Sequence, residues 1–181
     1  MNGFELSILL WIQENLRGFM DSFWIFITKL GDKGWFWILL AVILLFFKKT
    51  RTVGATVIVA LIINHVMTNM ILKDLVGRPR PYTASPEIVT LIKQLSSYSF
   101  PSGHTSSSFA AAFIIYRMMP KKAGIPALIL AAMIGFSRMY VGVHYPTDVL
   151  GGVLVAFVSS VWAHYLVQRV IRKVEEKRAN G

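Results

Sequence analysis

Two short stretches of this sequence carry side chains that are suited to group transfer. Residues 101–104 read "PSGH" and stand just before an apolar run, and residues 144–148 read "HYPTD". If Pro146 occupies the first position of a helix, the histidine and the aspartate of the second stretch come within reach of each other. A carboxylate on one imidazole nitrogen fixes the tautomer and leaves the other nitrogen free to attack. We therefore interpret His144 as a nucleophile oriented by Asp148.

A second histidine, His104, completes this chemistry as a general acid and base. An imidazole titrates near neutral pH, so it can protonate a leaving oxygen and later activate water. Ser102 is a suitable N-cap for the helix that follows, and Gly103 allows close approach of the backbone. The first turn of that helix presents free N–H groups and a positive dipole end, and both favour an anion. The stretch therefore predicts a cradle for a phosphate group.

Cationic side chains near both stretches strengthen the expectation of an anionic ligand. Lys73 and Arg80 are seven residues apart, and the prolines on both sides of Arg80 hold its backbone extended. Arginine offers a planar fork of donors to phosphate oxygens, and lysine offers a point charge. Arg78 and Arg138 add further positive charge close by in the sequence.

The composition defines the surroundings of these residues. Of the 181 residues, 55% are hydrophobic and only 15% are charged, which is far from the balance of a soluble protein. We therefore expect a helical integral membrane protein with room for a single domain. The chain contains no cysteine, so neither a disulfide nor a thiolate metal site is possible. Glu5 and Glu14, and the lack of a basic segment near the start, argue against a cleaved signal peptide.

Five apolar runs approach or reach the length of about 20 helical residues that crosses a bilayer core. They cover residues 35–47, 53–72, 105–119, 125–143 and 149–168. The first thirty residues are ambiguous, because Glu14, Arg17 and Asp21 interrupt their apolar pattern and would be costly at the bilayer centre. They either span the bilayer or lie flat. Counting them as a span gives about six transmembrane helices, with both termini in the cytoplasm.

Clusters of lysine and arginine orient these spans. Many of the basic residues behind the net charge of +10 lie at 46–51, 119–124 and 169–178, and each cluster follows an apolar run. The positive-inside rule places the clusters in the cytoplasm. The stretches 73–104 and 138–148 then lie together on the opposite side of the membrane. The charge forms no continuous basic face, so nucleic acid is not an expected partner.

Other polar residues have simpler interpretations. His65 lies in mid-span and His164 near a helix end, and neither has sequence neighbours suited to catalysis, so both are expected to pack or to form hydrogen bonds. Asp32 and Asp74 are expected to be helix caps or ion-pair partners. Taken alone, His104 fits a capping role as well as it fits catalysis. The combination of these motifs on one membrane face favours catalysis.

The combined motifs resemble the three-part signature of the type 2 phosphatidic acid phosphatase superfamily. All eleven signature positions match in order, and the resemblance covers about residues 35–168. These positions are Lys73, Arg80, Pro81, Pro101, Ser102, Gly103, His104, Ser137, Arg138, His144 and Asp148. The short chain with few loops is most similar to the small bacterial members of the phosphatidylglycerophosphatase B and undecaprenyl-pyrophosphate phosphatase type.

This resemblance implies a fold, an activity and a set of roles. The fold would be the all-helical core that the superfamily shares with soluble vanadium haloperoxidases. The oxidant chemistry of those relatives is not expected, because little of this chain lies outside its membrane helices. The resemblance implies a lipid phosphatase that works through a phosphohistidine on His144, oriented by Asp148, with His104 as the acid and with no metal or other cofactor. The residues implied in phosphate binding are Lys73, Arg80, Ser102, Gly103 and Arg138.

A site at the outer end of a membrane bundle suits a lipid headgroup whose tails stay in the bilayer. The expected substrates are phosphatidylglycerophosphate, undecaprenyl pyrophosphate, phosphatidic acid or a near analogue. One alternative is a phosphotransferase that passes the phosphoryl group from the same intermediate to another lipid. A second alternative is a non-catalytic transporter or scaffold that binds anionic lipid.

We expect one domain over residues 1–181. It would comprise an N-terminal helical segment (1–33), the core with the site (35–168) and a basic cytoplasmic tail (169–181). The connection after the first signature stretch, residues 82–99, is expected to cover the site and to contain a short helix at about 86–96. The sequence does not indicate the oligomeric state.

Overall fold

The computed structural model describes residues 3–179, and these residues contain helices but no β-strand. A 3₁₀ turn, Asp32–Gly34, joins α2 to α3, and a π-helical segment, Val66–Leu72, joins α4 to α5. Residues 1, 2, 180 and 181, which include the last two of the expected basic tail, lie outside the described part of the chain. The helices are α1 (Gly3–Leu16), α2 (Asp21–Leu30), α3 (Trp35–Phe46), α4 (Arg51–His65), α5 (Lys73–Val76), α6 (Pro81–Ala84), α7 (Gly103–Met118), α8 (Lys121–Tyr140) and α9 (Pro146–Ala179).

Each of the five expected spans falls on a helix of the core. Helix α7 packs along α8, α9 and α4, while α3 packs on α4. Small side chains permit these close contacts: Ala110 to Ala112 of α7 are fully buried, and a Cβ on Gly54 would lie 2.6 Å from the Ala41 carbonyl oxygen. Close approach through small residues is common between membrane helices, because lipid supplies no hydrophobic driving force between them.

Three helical stretches among the described residues are long and apolar enough to cross a membrane, namely Arg51–Ala84, Lys121–Tyr140 and Pro146–Ala179. Large apolar side chains such as Leu154 and Phe157 are exposed on α9, which suits contact with lipid. The 34 residues of α9 extend about 51 Å, well beyond a hydrocarbon core of about 30 Å. The exposed and charged last turns of α9 therefore lie outside that core.

Helices α1 and α2 pack at the end of the bundle where α8 ends and α9 begins. Ile12 of α1 packs against Tyr140, and the Tyr140 hydroxyl donates to the Leu16 carbonyl oxygen at 2.8 Å. Helix α2 lies beside the last turns of α8, where the rings of Trp24 and Phe136 are 4.8 Å apart. Helix α1 therefore covers this end of the bundle.

Residues 85–102 form an irregular connection, and the expectation of a short helix at about 86–96 is wrong. Pro86 disfavours helical backbone at the residue before it. Amides further along the connection bond to distant partners: the Val89 N–H donates to the Gln13 side-chain oxygen at 2.9 Å. Tertiary hydrogen bonds thus replace the helical ones that the local sequence would allow.

Candidate active site

The three signature stretches meet at the end of the bundle that α1 covers, around a cavity of about 750 Å³. Three expected site residues do not line this cavity but are fully buried next to residues that do; they are Ser102, Arg138 and Asp148. The other five line it directly and are Lys73, Arg80, Gly103, His104 and His144. All eight expected residues are therefore brought together, although they come from three separate stretches of the chain.

The pair His144 and Asp148 is built by the start of α9. Pro146 occupies the first helical position, so His144 precedes the helix and Asp148 lies in its first turn. The His144 Nδ1 atom lies 3.3 Å from Asp148 Oδ2, and both side chains are almost completely buried. With its Nδ1–H donated to the carboxylate, the imidazole keeps Nε2 as the nitrogen free to attack.

Burial also keeps this imidazole neutral. Removal from water lowers the pKa of His144 to about 3, although the hydrogen bond to Asp148 acts in the opposite direction. A neutral imidazole retains the lone pair that a nucleophile needs. The His144 Nε2 atom lies 3.4 Å from an Nη1 donor of Arg80, which is consistent with an unprotonated nitrogen at that position.

Asp148 is held by more partners than the sequence suggested. Its carboxylate accepts from Arg78 Nη1 at 2.6 Å, from Ser99 Oγ at 2.5 Å and from the Tyr145 N–H at 2.9 Å. Arg78 also donates through Nη2 to Glu5 of α1 at 2.6 Å. The sequence marked Arg78 as a cation of the outer side but not as a partner of Asp148. The contact between Arg78 and Asp148 could have been predicted from the expected burial of Asp148, because a buried carboxylate requires a counter-charge.

The three expected phosphate-binding cations differ in how many donors they have left. The N–H groups of Arg80 are directed at Ser97, Tyr98, Val143 and His144, so its guanidinium is fixed by the protein. Within the described residues, the Nε and Nη2 atoms of the fully buried Arg138 have no hydrogen-bond partner.

A third donor of Arg138, Nη1, is held by the Thr28 hydroxyl of α2. Buried donors without a partner are costly, and a phosphate oxygen is a suitable acceptor for them. Among the described residues, the Lys73 Nζ atom has a single long hydrogen bond, to Ser97 Oγ at 3.4 Å. Lys73 and Arg138 are therefore the two cations with donors to spare.

The "PSGH" stretch forms the start of α7 as expected. Ser102 is the N-cap, and its hydroxyl oxygen accepts from the Thr105 N–H at 3.4 Å and from the Thr105 hydroxyl at 2.9 Å. A Cβ on Gly103 would lie 3.4 Å from Asn69 Oδ1 and 3.9 Å from Lys73 Nζ. Only a residue without a side chain leaves the space between the helix start and Lys73 open to a ligand.

His104 has a carboxylate partner of its own. Its Nε2 atom lies 2.8 Å from Oδ1 of Asp32, which belongs to the 3₁₀ turn between α2 and α3. The hydrogen bond from His104 lowers the pKa of Asp32 below its usual value, so the aspartate is ionised at neutral pH. The sequence indicated a cap or an ion-pair partner for Asp32 without naming the residue that it contacts.

His65 forms a hydrogen bond, as the sequence allowed, but it also lies at the cavity, which the sequence did not indicate. His65 lines the same cavity as the signature residues, and its Nδ1 atom lies 3.2 Å from Asn69 Nδ2. Both residues flank or belong to the π-helical segment after α4, and such segments are frequent at functional sites. His164 lies on α9 and does not line the cavity, as expected.

The side chains of the described residues were also compared with the arrangements that bind metal ions. Between residues 3 and 179, no group of three or more histidine, aspartate or glutamate side chains is placed to hold a metal ion. The cavity combines three imidazoles, those of His65, His104 and His144, with cations that can bind phosphate oxygens. This set of groups is suited to the transfer of a phosphoryl group through a nitrogen nucleophile.

Residues 50–172 match the PAP2 superfamily. The match covers more than half of the chain, and the chain belongs to that superfamily. An undecaprenyl-diphosphatase from Sulfolobus acidocaldarius is 29% identical over 179 residues, which are 96% of this chain and 84% of that protein. The resemblance seen in the sequence is thereby confirmed, as is the expected class of enzyme, a phosphatase of lipid phosphates.

Two solved structures share the fold. LpxE from Aquifex aeolicus has a TM-score of 0.79 and 26% identity, over 88% of this chain and 94% of that one. A PAP2-type phosphatidylglycerolphosphate phosphatase from Bacillus subtilis has a TM-score of 0.71 and 25% identity, over 95% of this chain and 86% of that one. The expectation of an all-helical PAP2 core is therefore confirmed.

Proposed function

We propose that this protein hydrolyses a phosphomonoester or a pyrophosphate of a membrane lipid through a phosphohistidine on His144. The observation that carries the proposal is the meeting of His144, His104 and Arg80 at one cavity, with Asp148 behind the first histidine. A nucleophile, an acid and a cation are the groups that such a transfer needs.

The reaction begins with attack of His144 Nε2 on phosphorus. A P–N bond forms, the P–O bond to the leaving group breaks, and His104 gives its proton to the departing oxygen, which belongs to the lipid alcohol of a monoester or to the lipid phosphate of a pyrophosphate. Water then attacks the phosphohistidine and gives a proton to His104, and the P–N bond breaks to release inorganic phosphate and neutral His144. Lys73, Arg80, Arg138 and the Gly103 amide balance the negative charge that spreads over the equatorial oxygens.

The shape of the cavity supports a lipid substrate. Beyond its polar end the wall is apolar and includes Ile38, Ile58, Leu61 and Ile62. Ile38 and Ile62 are also exposed on the outside of the bundle, so the apolar wall is continuous with the surface that faces lipid. The relatives named above are phosphatases of undecaprenyl diphosphate and of phosphatidylglycerolphosphate, and phosphatidic acid remains a third candidate substrate.

A phosphate-release assay with these three lipids tests the proposal. The His144→Ala variant should lose activity by about 10⁴-fold or more, because the variant lacks the imidazole on which the phosphohistidine forms. His164→Ala, which changes a histidine far from the cavity, should keep near-wild-type turnover. Every reaction contains EDTA and no acceptor lipid. Full activity of His144→Ala would contradict the proposed mechanism, and failure of the wild type to release phosphate in these acceptor-free reactions would favour a transferase.

The arrangement of the chain in the membrane is part of the proposal. Since α1 packs on the site end, we assign five crossings, by α3, α4, α7, α8 and α9, in place of the expected six. The site then lies on the extracytoplasmic side and the end of α9 in the cytoplasm, and the whole chain forms one domain. This assignment agrees with the basic clusters, which lie at the ends of the core helices opposite the site.

Cysteine labelling tests this topology directly, because the natural chain has no cysteine. In intact cells a membrane-impermeant maleimide should label Ser7→Cys on α1, and it should label Lys177→Cys only after the membrane is permeabilised. Protection of both positions in intact cells would restore the count of six crossings.

A further inference from the structure

We propose that Asp32 is the positioning residue for His104, so that the site contains two aspartate–histidine pairs with separate tasks. The inference rests on the proposed function, in which His104 protonates the leaving oxygen. It concerns the turn between α2 and α3, which lies outside every signature stretch of the sequence.

The turn that carries Asp32 is built to fit the imidazole. A Cβ on Gly31 would lie 2.7 Å from Cδ2 of His104 and 2.9 Å from Cγ2 of Ile134, so only glycine allows the backbone to pack against the ring. Gly34, the last residue before α3, has a φ of +70°, a left-handed backbone conformation that favours glycine. The two glycines therefore hold the Asp32 carboxylate at a defined distance from His104.

The hydrogen bond assigns different tasks to the two ring nitrogens. With Nε2–H donated to Asp32 Oδ1 at 2.8 Å, the proton to be transferred is carried by Nδ1. Within residues 3–179, Nδ1 makes no hydrogen bond. When the lipid oxygen departs, the Nδ1 proton moves to it and the imidazolium becomes a neutral imidazole; the attacking water later returns a proton to Nδ1.

The charges around His104 give Asp32 a second effect. Burial and the neighbouring cations both disfavour an imidazolium, and Asp32 supplies the negative charge that opposes them. It is the one carboxylate bonded to His104 in the described part of the chain. The charged and titratable groups that line the cavity with His104 or lie directly behind it are Asp32, Lys33, His65, Lys73, Arg80, Arg138, His144 and Asp148.

The experiment compares substrates with poor and good leaving groups. Phosphatidic acid releases an alcohol whose oxygen must be protonated, whereas a nitrophenyl phosphate that carries a dodecyl chain releases a phenolate that needs no acid. Asp32→Asn should lower kcat/KM with phosphatidic acid by about 10²-fold, because kcat/KM reports the steps up to departure of the leaving group, in which His104 acts as the acid. With the nitrophenyl substrate its kcat/KM should fall less than about threefold. Asp32→Glu should recover part of the lost activity because it restores the charge.

Glu14→Gln is the matched control, because it makes the same change at an exposed carboxylate of α1. It should leave both rates unchanged. Equal losses of Asp32→Asn with the two substrates, or no loss with either, would overturn the inference. Turnover by His144→Ala would overturn the proposed function as well, whereas an inactive His144→Ala beside equal losses for Asp32→Asn would overturn the inference alone.

Discussion

His144 and Asp148 are four residues apart and their side chains are only 2% and 0% exposed, whereas His104 and Asp32 are 72 residues apart and their side chains are 18% and 57% exposed. The first pair shares its carboxylate with an arginine, a serine and a backbone amide. In the second pair, the carboxylate has His104 as its one side-chain partner among the described residues.

The difference matches the two tasks that we assign. A nucleophile must be neutral, oriented and shielded from water, and burial supplies all three conditions. An acid that must regain a proton in each cycle needs contact with water, which the second pair has. A histidine paired with an aspartate therefore serves as the nucleophile in one place and as the acid in the other, because the surroundings of the two pairs differ.

The largest effect that separates the pairs is expected for Asp148→Asn. An amide cannot hold the His144 tautomer, so kcat/KM should fall by about 10³–10⁴-fold with phosphatidic acid and by a similar factor with the nitrophenyl phosphate whose ring carries a dodecyl chain. The rates are measured beside those of Asp32→Asn, which should be selective for the alcohol leaving group. An Asp148→Asn variant that spared the nitrophenyl substrate would erase the distinction between the pairs.

A smaller effect is expected for Arg78→Met, which removes the cation bonded to Asp148 and to Glu5. The free energy of unfolding should fall by about 3 kcal/mol, the low end for a broken buried pair, because Asp148 keeps its neutral donors. Activity should fall by about 10- to 100-fold with both substrates, as the carboxylate is held less firmly. Denaturant unfolding in detergent and the two assays measure these losses.

Glu5→Gln is the control for Arg78→Met, because it keeps the bond between Arg78 and Asp148. Its activity should stay within about threefold of wild type, and its free energy of unfolding should fall by less than that of Arg78→Met, because the neutral amide can still accept from Thr147 and Asp148 keeps its cation. A loss of activity as large as that of Arg78→Met would mean that the contact of α1, and not the Arg78 charge, holds Asp148 in place.

Local spacing was sufficient wherever one helix or one turn builds the contact. The sequence predicted the cap at Ser102, the start of α9 at Pro146 and the contact between His144 and Asp148. The five apolar runs likewise predicted the positions of the core helices. In these cases the geometry of a single helix, with its fixed rise and rotation per residue, converts spacing in the sequence into distance in space.

The sequence by itself thus determined the class of the protein, the core helices and the residues that gather at one cavity. Only the tertiary structure decided that Arg78 and Glu5 hold Asp148, that Asp32 meets His104, that His65 lines the cavity and that residues 85–102 remain irregular. Each of these depends on the packing of elements far apart in the chain. Charged and polar groups at such a junction take whichever partner the packing brings near, and no local pattern records that choice.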